Sequence, residues 1–279
     1  MRLIWSRKLY TQDPWEPYFR GVFSYRKSGI SFYYEDGGAV KCICGCTDTP
    51  ATLLQPSREH RIPLPHHWMI VEQEGERYLL CGEEAAIHLG PNLPISPVPD
   101  GLCREYRRQQ MPASHFVEDS FTFEEYQIRH KGEWGYSCQK NGTEIWKFVG
   151  HGYLYTGMFR KADHLYFGTA GAGGYFYILD IHTGVPVLSL RTGGTTVILQ
   201  RGSCGYLYTG VGKKKSQLIC VDFSSGEIMD EIELPGTVSS YSVLGLWEDC
   251  IYTVTFQYKK GCVINAVFSC ISLNESVIP

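Results

Sequence analysis

No apolar run in the 279 residues approaches the roughly 18 needed to span a bilayer as a helix. The opening stretch, MRLIWSRKLYTQDPWEPYFR, carries charge throughout and has neither the apolar core nor the small-residue cleavage site of an export signal. Charge of one sign is also missing. Lys and Arg number 26 against 29 Asp and Glu, a formal net charge of −3, so no general attraction to nucleic acid or anionic membrane is expected. Amphipathic helical patterning is nearly absent, with residues 101–111, GLCREYRRQQM, the one stretch of fair helical composition. Nor is there a G-x-S-x-G elbow, a P-loop, an H-E-x-x-H pair or an EF-hand loop.

What is present points to strands and turns. Thirty glycines and nineteen tyrosines accompany 43% hydrophobic residues, enough apolar material to fill a core. The eleven cysteines are odd in number, and with no export signal they read as free thiols in a reducing cytoplasm.

The chain repeats. HLYFGTAGAGGYFYILDIHTG at 164–184 and YLYTGVGKKKSQLICVDFSSG at 206–226 share a strand, a glycine turn and a second strand ending in Asp-x-x-x-Gly. Residues 250–272 and 125–148 repeat the strand pattern, and 77–90 and 30–44 carry weaker copies. Aligning Phe32, Tyr78, Tyr126, Leu165, Leu207 and Ile251 gives steps of 39 to 48 residues. A four-stranded antiparallel blade occupies roughly 40–50 residues, so the expectation is an all-β, six-bladed β-propeller forming one domain over 1–279, with seven blades as the rival count.

Innermost strands are expected at 19–25, 68–72, 116–121, 153–159, 197–200 and 241–247, and outer strands at 61–64, 144–148, 187–191 and 228–234. The last unit lacks an outer strand, and LIWSRKL at 3–9 resembles EIWKF at 144–148, so the N-terminal strand is expected to complete the last blade and close the ring. Residues 46–60 and the proline-rich 91–99 are expected to be irregular insertions, with 101–111 a helix or the second outer strand.

Over 164–234 the motifs LYFGT…FYILDIHTG and LYTG…LICVDFSSG resemble the quinoprotein-type (PQQ-like) β-propeller repeat. That repeat runs through a strand, a glycine turn and Leu-Asp-x-x-Thr-Gly to a Trp-bearing outer strand. Trp146 and Trp5 fit the outer-strand aromatic, with Leu188 and Met229 replacing it elsewhere. The resemblance implies a propeller. Family enzymes that use pyrroloquinoline quinone are larger, eight-bladed and exported, and several have an adjacent Cys-Cys pair that this chain lacks, so no cofactor is expected.

Three groups of residues invite chemistry. Cys42, Cys44 and Cys46 alternate, which spreads three thiols along one strand face instead of closing them round an ion, so they read as small apolar residues on a buried face. His67, His115 and His151 stand at the starts of predicted innermost strands, where Tyr18, Thr196 and Ser240 occupy the corresponding places. These six would meet at one mouth of a central channel, and the three histidines are the candidate metal ligands of an alternative, hydrolase- or lactonase-like reading. Lys213 to Lys215 and Lys259 with Lys260 fill equivalent hairpin turns, read as solvated turns that guard against edge pairing, or else as a face for an acidic protein or a nucleic acid.

The leading expectation is a non-enzymatic cytoplasmic propeller that binds another protein through its loops or one face, as an inhibitor, a toxin-neutralising (immunity) protein or an adaptor. No catalytic residue is assigned. Trp15, Trp68, Trp134, Arg104, Arg107 and Arg108 are the expected partner surface, because Trp, Tyr and Arg dominate interface energetics. Neither a membrane nor a nucleic acid is the expected partner, and a small-molecule or glycan ligand on channel aromatics is the third reading.

Overall fold

The computed structural model describes residues 1–10, 21–26, 29–36, 39–44, 51–54, 68–73, 76–81, 85–88, 95–97, 120–131, 135–154, 158–171, 173–193, 198–213, 215–239 and 242–273. These residues contain strands and turns, and no helix long and apolar enough to cross a membrane. Strand β1 is Arg2–Tyr10. Then follow β2 (Gly21–Arg26), β3 (Gly29–Asp36), β4 (Ala39–Cys44) and β5 (Ala51–Leu54), which form one antiparallel sheet in that order. The second sheet is β6 (Trp68–Gln73), β7 (Glu76–Cys81), β8 (Ala85–His88) and β9 (Ile95–Pro97). The third is β10 (Ser120–Phe123), β11 (Tyr126–Lys131), β12 (Gly135–Lys140) and β13 (Thr143–Val149). In the fourth, β14 (Tyr153–Leu154) and β15 (Phe159–Lys161) both pair with β16 (His164–Ala170), followed by β17 (Tyr175–Asp180) and β18 (Pro186–Arg191). The fifth is β19 (Ile198–Arg201), β20 (Cys204–Thr209), β21 (Gln217–Asp222) and β22 (Ile228–Glu233). The last sheet joins β23 (Leu244–Trp247), β24 (Cys250–Lys259) and β25 (Cys262–Ser272) to β1, which pairs with β25.

Four expectations are corrected. The outer strand of the first sheet is β5, inside the stretch expected to be an irregular insertion, while 61–64 lie outside the described residues. Four residues are too few to carry a readable periodicity. The outer strand of the second sheet is β9, inside the proline-rich stretch expected to be a loop. An edge strand needs hydrogen bonds on one side only and so tolerates proline, here Pro97 opposite Ala85. The innermost strand of the fourth sheet is split into β14 and β15. The alignment of Leu165 with Leu207 is two residues out: His164 pairs with Asp180 and Cys204 with Asp222, which makes Phe167 the equivalent of Leu207. A slip of two keeps every side chain on its face, so periodicity alone does not register it.

By compactness the chain divides into two units, one comprising Met1–Leu3, Ala113–Leu244 and Ser272–Pro279, the other Ile4–Pro112 and Gly245–Ile271. In the first, the middle strands are buried on both faces. Tyr126, Ile128, Cys138 and Trp146 of the third sheet pack on Leu165, Phe167, Tyr177 and Leu179 of the fourth. Tyr166 and Ile178 of the fourth pack in turn on Leu207, Ile219 and Phe223 of the fifth, the Tyr166 and Phe223 rings stacking at 4.1 Å. Each fully buried aromatic of this kind is worth roughly 1.5–3 kcal/mol in transfer free energy. In the second unit, Trp5 of β1 meets Phe268 edge-on at 5.1 Å, and Phe268 stacks on Phe32 of the first sheet at 5.8 Å.

The outer strands share a device. In β13, β18 and β22 one residue is bulged out of register: Ile145, Val187 and Met229, spaced 42 apart and all exposed. Bulges blunt an edge against unwanted pairing. They also correct the outer-strand alignment. Trp146 faces Cys138 and Leu188 faces Ile178, but the corresponding partner of Cys220 is Asp230, with Met229 on the bulge.

Candidate functional site

The Asp-x-x-x-Gly turns are built from local hydrogen bonds. The Asp180 carboxylate accepts from the His182 amide, the Thr183 amide and the Thr183 hydroxyl at 2.8–2.9 Å, and the Gly184 amide returns to the Asp180 carbonyl. Partial burial works against the charged carboxylate, but these donors win and hold its pKa below the ordinary value. Asp222 does the same with the Ser224 and Ser225 amides. Such turns fix one end of the fourth and fifth sheets.

At the opposite end of the fourth sheet stands His151, two residues before β14 and exposed. Its imidazole stacks on Tyr175 at 5.0 Å, and Tyr175 lies parallel to Tyr177 at 5.6 Å and 11°. The His151 amide donates to the Tyr177 hydroxyl at 2.9 Å, which pins the histidine to the stack it caps. Phe148 meets Tyr177 edge-on at 5.1 Å, so the ladder is rooted in the core between the third and fourth sheets. Burial pushes the Tyr177 phenol pKa up, partly offset by the His151 amide.

Two further side chains frame the stack. Arg191 lies opposite Tyr175 in register, and its guanidinium covers Gly173, where an added Cβ would meet Nη2 at 3.0 Å. The Tyr153 ring covers Gly171 so closely that a Cβ there would stand 2.9 Å from it. The glycines of the turn that joins β16 to β17 are therefore places where side chains lie directly on backbone, and they act as seats for an aromatic and a cation. Tyr153 is nonetheless 48% exposed and neighbouring Val149 74%.

Of the six residues expected at the channel mouth, His151 is described; Tyr18, His67, His115, Thr196 and Ser240 lie outside the described residues. Trp15, Trp134, Arg104, Arg107 and Arg108 lie outside them too, and Trp68 opens β6 opposite Cys81. The companions of His151, namely Tyr153, Tyr175, Tyr177 and Arg191, carry no motif of their own; the alternating Tyr-x-Tyr after a glycine run was their one trace. In the cysteine cluster, Ile43 is fully buried, while Cys42 and Cys44 are half-buried, and Cys46 lies outside the described residues. The expectation of a buried thiol face is thus corrected: the alternation puts Ile43 inward, and Cys44 reaches the Ser31 hydroxyl at 3.5 Å. Among the described residues no group of three His, Cys, Asp or Glu side chains is placed to hold a metal ion.

No family model matches the chain, and no curated protein does. Solved structures similar to it include BamB from Moraxella catarrhalis, at 9% identity over 94% of this chain and 85% of that one, TM-score 0.40. BBS1N in complex with ARL6DN is similar at 11% identity over 99% of both chains, TM-score 0.39. A chain of the mitotic checkpoint complex is similar at 8% identity over 99% of this chain and 83% of that one, TM-score 0.33. At such identities and scores they bear on neither family nor function.

Proposed function

We propose that this chain is a single-domain, six-bladed β-propeller, zipped by its first strand, that binds another protein and carries out no chemistry of its own. Six antiparallel sheets in chain order, with β1 added to the last, support the architecture. The observation that carries the function is the His151 ladder: an exposed imidazole stacked on Tyr175 and Tyr177 and so anchored to the core, flanked by Tyr153 and Arg191 lying on glycine backbone. Aromatic and arginine side chains supply most interface energy, and side chains already fixed lose little entropy on association. An inhibitory, toxin-neutralising or adaptor role in the cytoplasm fits such a surface.

Photo-crosslinking tests the reading. Benzoylphenylalanine at Val149, beside the ladder, should capture a protein from native lysate, and the adduct should vanish in a H151A/Y153A background of unchanged circular dichroism. The same group at Asp163, 66% exposed at the other end of the sheet, should not capture it. Equal capture at both positions, or capture indifferent to His151 and Tyr153, refutes the assignment.

A further inference from the structure

In the unit that holds the third to fifth sheets, charge is divided between the two sheet ends. At the end bearing the Asp180 and Asp222 turns stand Glu124, Glu125, Asp163 and Glu227 as well, and the cations there are engaged. Arg160 pairs with Glu124 at 2.9 Å, Lys140 with Glu125 at 3.3 Å, and Lys161 donates to the Gly202 carbonyl, while the His182 ring meets Asp163 at 3.3 Å. Among the described residues the exposed cations at the His151 end are Arg191, Lys213 and Lys215; Lys131 ends β11 there, and Glu233 is the acid that ends β22. None of those three cations has a carboxylate partner among the described residues.

These cations sit on a braced platform. The Thr192 amide donates to the Gly174 carbonyl at 2.9 Å, Val211 to Thr192 at 3.1 Å and Gly212 to Val238 at 2.7 Å, so a belt of main-chain bonds runs from the fourth sheet's glycine turn to the fifth's lysine turn. Buried Ser216 locks the latter, donating to the Gly210 and Lys213 carbonyls and accepting from the Val238 amide at 2.9–3.2 Å. The lysines therefore project from a fixed backbone.

We infer that the partner meets this end with an acidic, extended segment whose carboxylates face Arg191, Lys213 and Lys215 and whose apolar or aromatic side chains lie on Tyr153, His151 and Val149. The inference rests on the protein-binding reading above and gives that partner its chemistry. Complementary charge steers association and sets register, and its effect falls as salt screens it. A polypeptide is favoured over single-stranded nucleic acid by Val149, 74% exposed at the end of β13: an aliphatic side chain matches another apolar side chain and gives no ring on which a base can stack.

The test is fluorescence anisotropy on the full chain with a fluorescein-labelled twelve-residue peptide of three Glu-Leu-Asp-Tyr repeats. An oligo-dT of twelve nucleotides and the Lys-Leu-Lys-Tyr peptide serve as comparison probes. The acidic peptide should bind at low salt and weaken about tenfold or more in K213E/K215E, whereas K161E at the opposite end should change affinity less than about twofold. Circular dichroism of the variants should be unchanged, since both lysines occupy an exposed turn. No binding of the acidic peptide, equal loss in K161E, or tighter binding of the oligonucleotide overturns the inference. If it falls while the Val149 crosslink persists, the partner is a protein of other chemistry; if the crosslink also fails, the binding reading itself is wrong.

Discussion

Trp146 lies flat against Gly184, and its indole N–H donates to the Ile181 carbonyl at 2.7 Å. The outer strand of the third sheet is thus keyed into the Asp-x-x-x-Gly turn of the fourth. Gly184 is suited twice over: its φ of +69° is costly for other residues, and a Cβ would sit 2.6 Å from the indole. In the next sheet Val187 replaces the indole over Gly226, at the same 2.6 Å.

Replacing Gly184 with alanine should therefore cost about 2–4 kcal/mol, strain plus a displaced indole. W146F keeps most of the contact but orphans the Ile181 carbonyl, and should cost about 1–2 kcal/mol. Urea unfolding midpoints check both. A G184A variant as stable as the parent would mean that the indole is not seated on this turn.

This keying shows what was legible. The Asp180 and Asp222 turns could be read because their side-chain-to-amide bonds demand a fixed residue pattern. The partnership of Trp146 with Gly184 spans 38 residues and leaves no local pattern; family resemblance alone suggested an outer-strand aromatic. His151 was legible by position, ahead of an innermost strand. Tyr153 and Arg191 were not, because their role comes from lying on Gly171 and Gly173, a close approach that three-dimensional packing creates. The slip at Leu207, and strands β5 and β9, show the same limit: a period of two fixes faces, not registers or short edges.

Acid should loosen the turns in a traceable way. Asp180 has a folded pKa below the ordinary 3.8, so its contribution is present above that value and is lost as pH falls through the lower, folded one. The stability gap between parent and D180A should be full at pH 7 and should narrow below about pH 4. Urea midpoints at pH 7, 4 and 3 measure it. A gap that stays constant or widens in acid contradicts the hydrogen-bonded carboxylate.

Burial raises three thiols far from their usual range: Cys138 and Cys220 to about 11, Cys270 to about 12. Desolvation is the main cause in each, with Cys204 adding to the rise at Cys220 and Cys250 at Cys270. Alkylation proceeds through the thiolate. With iodoacetamide at pH 7.5, Cys138, Cys220 and Cys270 themselves should stay unmodified in the native protein and react once guanidinium is added. Rapid native labelling of Cys138, 0% exposed between the third and fourth sheets, would mean that this packing opens readily.

Tyr126 ties the third sheet to the fourth through polar contacts. Its hydroxyl receives a hydrogen bond from Lys140 at 3.0 Å and shares one with His182 Nδ1 at 2.7 Å, while His182 Nε2 faces Asp163. Because the Asp163 carboxylate facing Nε2 can only accept, the neutral imidazole carries its proton on Nε2, and Nδ1 accepts the Tyr126 hydroxyl proton. Y126F keeps the buried ring and removes the hub, so it should cost about 1–2 kcal/mol. Nitrogen chemical shifts of His182 should report the Nε2–H tautomer in the parent and a mixture in Y126F. The opposite tautomer in the parent would reverse the direction of the chain.

Tyr177 separates scaffold from contact in the proposed surface. Y177F preserves the ring beneath Tyr175 but deletes the acceptor that holds the His151 amide. Its effect on global stability should be modest, about 1–2 kcal/mol, because the hydrogen bonds to the His151 amide and to Ser189 are lost while the ring packing stays. Its effect on binding of the acidic peptide should be larger in proportion, a fall of about threefold to tenfold, since the capping imidazole must then be ordered at the moment of association. Restraining His151 matters only if His151 is touched. A Y177F protein that is destabilised yet binds the peptide with parental affinity would show that the ladder serves packing and that the contact lies elsewhere on this end.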